Sequence, residues 1–318
     1  MIKYKPANSL ESPRFSGVTT FMRLPNVKTL EDVDFIVTGI PFDTACSYNT
    51  GSRFGPQAIR QCSTIIKPYN PVLDVNIFDY CSGVDYGDIN TVPGYIEETY
   101  HNIEEGLTPV FEKGIIPIVM GGDHSITLAE LRAAAKKYGP VALVQFDSHS
   151  DTYDSFFGKK YNHGTTFRRA IEENLLIPEN SIQVGIRGHL YEPQNLQDAK
   201  DLGLEVITGP ELHTIGIPET IKKIRERTQD KPIFVSFDID FLDAAYAPGT
   251  GTPEIGGFTT WEAQQIVQKG LREKNVIGYD LVEVLPASDP SKITSFAAAG
   301  LMYEFISLIA LNKKIRRG

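Results

Sequence analysis

The feature that most constrains this 318-residue chain is a series of short apolar runs, each of strand length and most separated by enough chain for a helix. The runs fall at 35–40, 115–120, 141–146, 182–186, 204–207, 233–237 and 276–279. Continuous apolar runs suit strands buried on both faces, and helical crossovers cover both faces when the strands pair in parallel. The intervening sequence predicts helices over 126–138, over 218–228 with Pro218 at the start, over 260–273 with Thr259 or Thr260 as cap, and over the largely apolar 295–311. Together these predict an α/β fold around a central, mostly parallel sheet. No linker, repeat or composition shift divides the chain. We therefore expect a single domain over 1–318, with the polar, Pro-containing residues 1–30 as an N-terminal surface extension.

Composition narrows the partners. The net charge is -9, and no Lys/Arg stripe interrupts it, which argues against a nucleic-acid partner. An acidic chain is a weak pointer to a cationic substrate. Three cysteines without a CxxC spacing argue against a disulfide framework and for a reducing compartment. The N-terminus has no apolar leader, and the apolar stretches are broken by Gly or charge short of the ~20 residues a membrane span needs. The expectation is a cytoplasmic protein with no membrane contact.

The chemistry lies where the apolar runs end. IVMGGDHS supplies Asp123 and His124, LVQFDSHSDTYD supplies Asp147, His149, Asp151 and Asp154, and YNHGT supplies His163. IFVSFDIDFLD adds Asp238, Asp240 and Asp243, and VIGYDLVEVLP adds Asp280 and Glu283. Residues i and i+2 of an extended segment point to one side, so Asp147 with His149, and Asp238 with Asp240, can each reach a common centre. Parallel α/β sheets place their sites beyond the carboxyl ends of the strands, where these clusters fall. A surface acid or helix cap explains a lone Asp, but not three such clusters. Several buried carboxylates close together need cations to neutralise them. The candidate ligands are His124, Asp147, His149, Asp151, Asp238 and Asp240, a mixed imidazole and carboxylate set suited to divalent Mn, Zn, Fe, Co or Ni. Two such ions activate water for hydrolysis.

With these residues in place, the sequence closely resembles the ureohydrolase family of arginases, agmatinases and related guanidino hydrolases. The resemblance runs from about residue 33 to about 305. It rests on GGDHS at 121–125, DSHSD at 147–151, SFDIDFLD at 236–243, APGTGTPEIGG at 247–257 and GYDLVEVLP at 278–286. It implies a three-layer α/β/α arginase-like fold and two divalent metal ions per subunit, Mn2+ in the family. His124, Asp147, Asp151 and Asp238 would surround one ion, and Asp147, His149, Asp238 and Asp240 the other. It further implies attack of a metal-bridging hydroxide on the guanidinium carbon. Glu283 would hold the guanidinium, Asp151 would pass a proton to the departing amine, and His163 would assist proton transfer. A homotrimer or homohexamer is implied in the same way.

Two departures leave the ligand set intact: Ser148 where the family often has Ala, and Ala244 where many members have Pro. The segment DTYDSFFGKKYNHGT is more similar to agmatinases than to arginases, as is APGTGTPE with Glu254. This implies a small cationic guanidino substrate, agmatine, cleaved to putrescine and urea, with Asp154 or another loop acid receiving the tail ammonium. Guanidinobutyrase, guanidinopropionase, guanidinase, arginase and formiminoglutamase-like activities remain open, since all keep the same centre. Arg53 and Arg60 read as fold or interface residues, and His101 and His213 as bystanders. Asp123 reads equally as a structural residue or as the orienter of a ligand. His189 reads equally as a surface or a near-site residue.

Overall fold

A computed structural model describes residues 2–317. Met1 and Gly318, the outermost residues of the expected domain, lie outside the described residues. Eight strands form one sheet: β1 (Phe35–Gly39), β2 (Gly83–Asp88), β3 (Ile116–Met120), β4 (Ala142–Phe146), β5 (Ile182–Ile186), β6 (Glu205–Thr208), β7 (Ile233–Asp238) and β8 (Val276–Val282). Their order is β2-β1-β3-β8-β7-β4-β5-β6, with every pairing parallel. Seven match the apolar runs. The eighth, β2, reads GVDYGD and lies at the sheet edge, where its later residues are only partly buried and no continuous apolar run is needed.

Helices cover both faces. On one side Phe35, Val37, Ile118, Val144, Phe237 and Leu281 pack with residues of α1 (Gly55–Ser63), α7 (Gly209–Thr228), α8 (Thr260–Gly270) and α9 (Ile293–Arg317). On the other, the alternate strand residues Ile36, Val119, Leu143 and Phe234 pack with α3 (Ile96–Glu112) and α4 (Thr127–Tyr138). The period-2 alternation of the strands thus feeds two cores, and the result is the α/β/α sandwich expected. Shorter helices α2 (Ile77–Tyr80), α5 (Thr166–Glu172) and α6 (Gln194–Asp201) fill connections.

Three local features differ from expectation. Helix α7 begins at Gly209, earlier than Pro218. Gly216, at φ 75°, interrupts its helical geometry, and Pro218 opens the second half. Within the stretch read as a surface extension, Phe21, Met22 and Leu24 are buried in the first core. Helix α9 belongs to an apolar segment, Pro290–Arg317, long and apolar enough by length and composition to cross a membrane, contrary to expectation. Leu301, Met302, Phe305, Ile306 and Leu308 of that segment are buried against the sheet and α8.

Candidate metal centre

The four central strands, β3, β8, β7 and β4, end side by side, and each runs into acids or histidine. Beyond β3, Gly121 and Gly122 lead to Asp123 and His124. A Cβ on Gly122 would fall 1.8 Å from the Phe42 carbonyl oxygen, so only glycine lets the chain pass there. Asp123 then caps a short 3-10 turn by accepting from the Ser125 N–H at 3.0 Å. Beyond β4, Asp147 accepts from the His149 N–H at 2.6 Å, and Asp151 turns the chain at φ 52°. Beyond β7, Asp238 accepts from the Asp240 N–H at 2.9 Å. Glu283 follows β8 at φ 64°, a left-handed conformation that a glutamate adopts only where its surroundings enforce it.

These turns bring His124, Asp147, His149, Asp151, Asp238 and Asp240 to one place. His124 Nδ1 lies 3.1 Å from Asp147 Oδ2, 2.9 Å from Asp151 Oδ2 and 3.3 Å from Asp238 Oδ2. His149 Nδ1 lies 3.0 Å from Asp240 Oδ2 and 3.6 Å from Asp147 Oδ1. The ligand-type atoms fall into two triads, His124–Asp147–Asp151 and Asp147–His149–Asp240, which share Asp147.

The His124 tautomer tests whether cations fit. Its Nε2 lies 2.8 Å from Ser236 Oγ, and Ser236 Oγ donates to Asp280 Oδ1 at 2.7 Å. With the hydroxyl hydrogen so committed, Nε2 must donate to Ser236, and Nδ1 of the neutral ring carries a lone pair. That lone pair faces three carboxylate oxygens and has no hydrogen-bond partner; Asp240 Oδ2 is likewise buried without one. Burial, and then repulsion from Asp240 and Asp147, pushes the Asp238 carboxyl well above its ordinary range. Burial works against a proton on His124 Nδ1, but Asp147, Asp151 and Asp238 outweigh it and raise the pKa of the ring well above its ordinary value; a divalent cation in place of the proton meets the same donor set.

A second cluster adjoins the first. Glu283 Oε1 accepts from the His124 N–H and lies 3.0 Å from His163 Nδ1. Burial works against the His163 imidazolium, but the hydrogen bond and charge of Glu283 outweigh it and raise the pKa of the ring. Burial and the neighbouring Glu283 charge push Asp123 up to about 6. The cleft above has a volume of about 280 Å3, and among its lining residues are Asp151, His163, Tyr153, Phe156, His189 and Tyr191.

The family model for the arginase family matches residues 33–307. The chain belongs to the arginase family. It is a metal-dependent amidinohydrolase of guanidino compounds, in a family that uses a binuclear metal centre. It is 40% identical to a guanidinobutyrase of Pseudomonas aeruginosa over 309 residues, covering 96% of this chain and 97% of that protein. It is 39% identical to an agmatinase of Escherichia coli over 314 residues, covering 96% of each. Among solved structures it resembles proclavaminate amidinohydrolase from Streptomyces clavuligerus, with a TM-score of 0.91 and 39% identity over 95% of this chain and 100% of that one.

The remaining residues singled out in the sequence lie outside the ligand cluster of this arginase-family chain. Asp154 does not face the cleft. Its carboxylate is solvent-exposed and pairs with Arg169 at 2.8 Å. Asp243 accepts from the Ala245 and Gly257 N–H groups and shapes the 243–257 loop. His101 pairs with Glu105 on the surface, and His213 stacks on Phe258. Arg53 pairs with Asp43, and Arg60 with Asp85 and Asp88. His189 lines the cleft mouth beside Glu254, whose carboxylate packs over Gly188. Sequence reasoning passed over Ser236 and also Gln145, whose Nε2 donates to Asp147 Oδ2 at 2.8 Å. Both carried a signal: each is a polar residue two positions before an aspartate in an otherwise apolar strand, and so shares its side.

Proposed function

We propose that this protein hydrolyses agmatine to putrescine and urea, with His124, Asp147, His149, Asp151, Asp238 and Asp240 holding two divalent ions and Asp147 and Asp238 shared between them. When bound, such a pair supplies water ionised near neutral pH and stabilises the charge that develops on hydrolysis. Manganese is the first choice for a carboxylate-rich set that also carries imidazole.

The protein's own groups do the rest. Glu283 Oε1 is engaged by the His124 N–H and His163, so Oε2 is the atom left to take the guanidinium N–H groups in charge-assisted bonds. Its position one residue beyond β8 fixes the direction of that bond, which orients the guanidinium. Asp151 lines the cleft, where a carboxylate can pass a proton to the departing amine. His163, 3.0 Å from Glu283, assists that proton transfer. Assembly as a homotrimer or homohexamer in the cytoplasm belongs to the same reading.

One observation carries the choice of agmatine. Among the described residues lining the cleft there is no lysine or arginine to neutralise a carboxylate tail. Asp151 and Asp238 in its lining are committed to the ions, which leaves Glu254, beside His189 at the mouth, as the carboxylate for a cationic tail. Tyr153, Phe156 and Tyr191 pack edge-on at 5.1–6.3 Å between ring centres and offer aromatic faces to methylenes and to a terminal ammonium. A guanidino acid is the second reading, favoured by His189, an imidazole N–H donor at the rim, and by the relatedness to guanidinobutyrase. Urea release from manganese-loaded protein is the test, with agmatine, arginine, 4-guanidinobutyrate, 3-guanidinopropionate and guanidine compared by kcat/KM. A preference for agmatine of ~100-fold or more, roughly 2.7 kcal/mol of transition-state binding, is expected. A preference for either acid overturns the agmatine assignment.

A further inference from the structure

We infer that Ser47 is a positioning residue for His163: its backbone N–H holds the imidazole in the Nδ1–H tautomer, with that hydrogen aimed at Glu283, while its hydroxyl accepts from the ring when it carries a second proton. The inference rests on the role proposed above for His163, but its geometry stands apart from it. The Ser47 N–H donates to His163 Nε2 at 2.9 Å, and Ser47 Oγ lies 2.7 Å from the same nitrogen. A backbone N–H is a donor that cannot reverse its role. Nε2 must therefore present its lone pair, and the single hydrogen of the neutral ring sits on Nδ1, 3.0 Å from Glu283 Oε1.

Neither partner is free to turn away. Ala45 N–H donates to Asp123 Oδ2 at 2.9 Å, and the Ala45 carbonyl accepts from Asn162 Nδ2 at 2.6 Å and from the His163 N–H at 3.1 Å. The loop bearing Ser47 is thus tied to Asp123 on one side and to the His163 backbone on the other. Facing the ring stand the carboxylates of Glu283, Asp151 and Asp123, of which Asp151 is committed to the proposed ions, and the Cys46 thiol, within 4.8 Å of the His163 and Glu283 ligand-type atoms. A second proton on Nε2 would confront the Ser47 N–H, donor against donor. A hydroxyl both donates and accepts, so Ser47 Oγ can turn its hydrogen aside and take that proton's hydrogen bond.

The test is side-chain 15N NMR of His163 through a pH titration of protein loaded with zinc, a diamagnetic ion. We expect the neutral ring to show the unprotonated signature on Nε2. Ser47→Ala keeps that tautomer, because the backbone N–H remains. It lowers the protonation midpoint by on the order of half a pH unit or more, because a hydrogen bond to a charged group is lost. Ser47→Thr restores the midpoint. An Nε2–H tautomer in the unsubstituted protein, or a midpoint indifferent to Ser47→Ala, overturns the inference. If the midpoint moves while the acid limb of kcat/KM stays fixed, Ser47 positions the ring as inferred and the proton-transfer role of His163 falls instead.

Discussion

His124 and Asp280 are joined through a single hydroxyl: Ser236 Oγ lies 2.8 Å from His124 Nε2 and donates to Asp280 Oδ1 at 2.7 Å. Asp280 also accepts from Thr127 Oγ1 at 2.7 Å, so the far end of the relay is anchored on α4. Outer hydrogen bonds of this kind set the tautomer and orientation of a metal-binding imidazole. Ser236→Ala is expected to weaken metal affinity by about 10–100-fold with the fold retained. Chelator-competition titration measures it, and an unchanged affinity would show that the relay does not orient the ring.

Glu283→Gln removes the charge proposed to meet the guanidinium but keeps the shape of the side chain. A charge-assisted, orienting contact is expected to contribute roughly 10²–10³-fold to kcat/KM, with bound metal unchanged. Metal content by elemental analysis beside the kinetics separates this from a collapsed site. Loss of metal along with activity would move Glu283 into the framework of the centre.

Glu130 is fully buried on α4, and neither carboxylate oxygen has a partner. Burial, and then the charge of Asp280, raises its pKa well above the usual value. The folded chain therefore holds this proton after the unfolded chain has released it. Stability is lost as pH rises from the unfolded value of about 4.3 towards the raised folded one. Glu130→Leu should raise Tm more at pH 8 than at pH 5. An equal shift at both, or a fall at pH 8, would count against a proton held here.

Arg60 spans Asp85 and Asp88, and Asp85 is fully buried while also accepting from the Phe21 N–H. Arg60→Ala leaves that carboxylate without its cation, and a loss of about 3–5 kcal/mol is expected from denaturant unfolding. Asp85→Asn on top of Arg60→Ala should recover part of it, because the orphaned charge is removed. A double variant as unstable as the single one would point to lost packing instead.

Legibility in the sequence followed the physics of each element. Buried parallel strands announced themselves because both faces need apolar residues. The edge strand 83–88 escaped because its outer side meets only single bonds from Tyr4, Pro25 and Asn26 rather than a full strand, and because Arg60 neutralises its buried Asp85. Helix 96–112 escaped because its sequence carries Pro109 and a mixed polar face. The DSHSD and DID clusters were readable from their two-residue spacing. The contact between Ser47 and His163, 116 residues apart, was not, since the loop that carries Ser47 is placed by tertiary bonds to Asp123 and Asn162. Asp154 misled for a related reason: its distance from Asp151 along the chain says nothing about Arg169, which turns it outward.

The strand order carries a consequence for how the centre is born. β8 is the last of the eight strands in the chain, yet it lies between β3 and β7 in the sheet. As the chain leaves the ribosome, the half that bears His124 and the half that bears the aspartates have no strand to join them until residues 276–282 arrive. The proposed metal centre therefore waits on the last strand of the sheet. A nascent or truncated chain stopping before that strand lacks the element that pairs with both halves and sets them side by side.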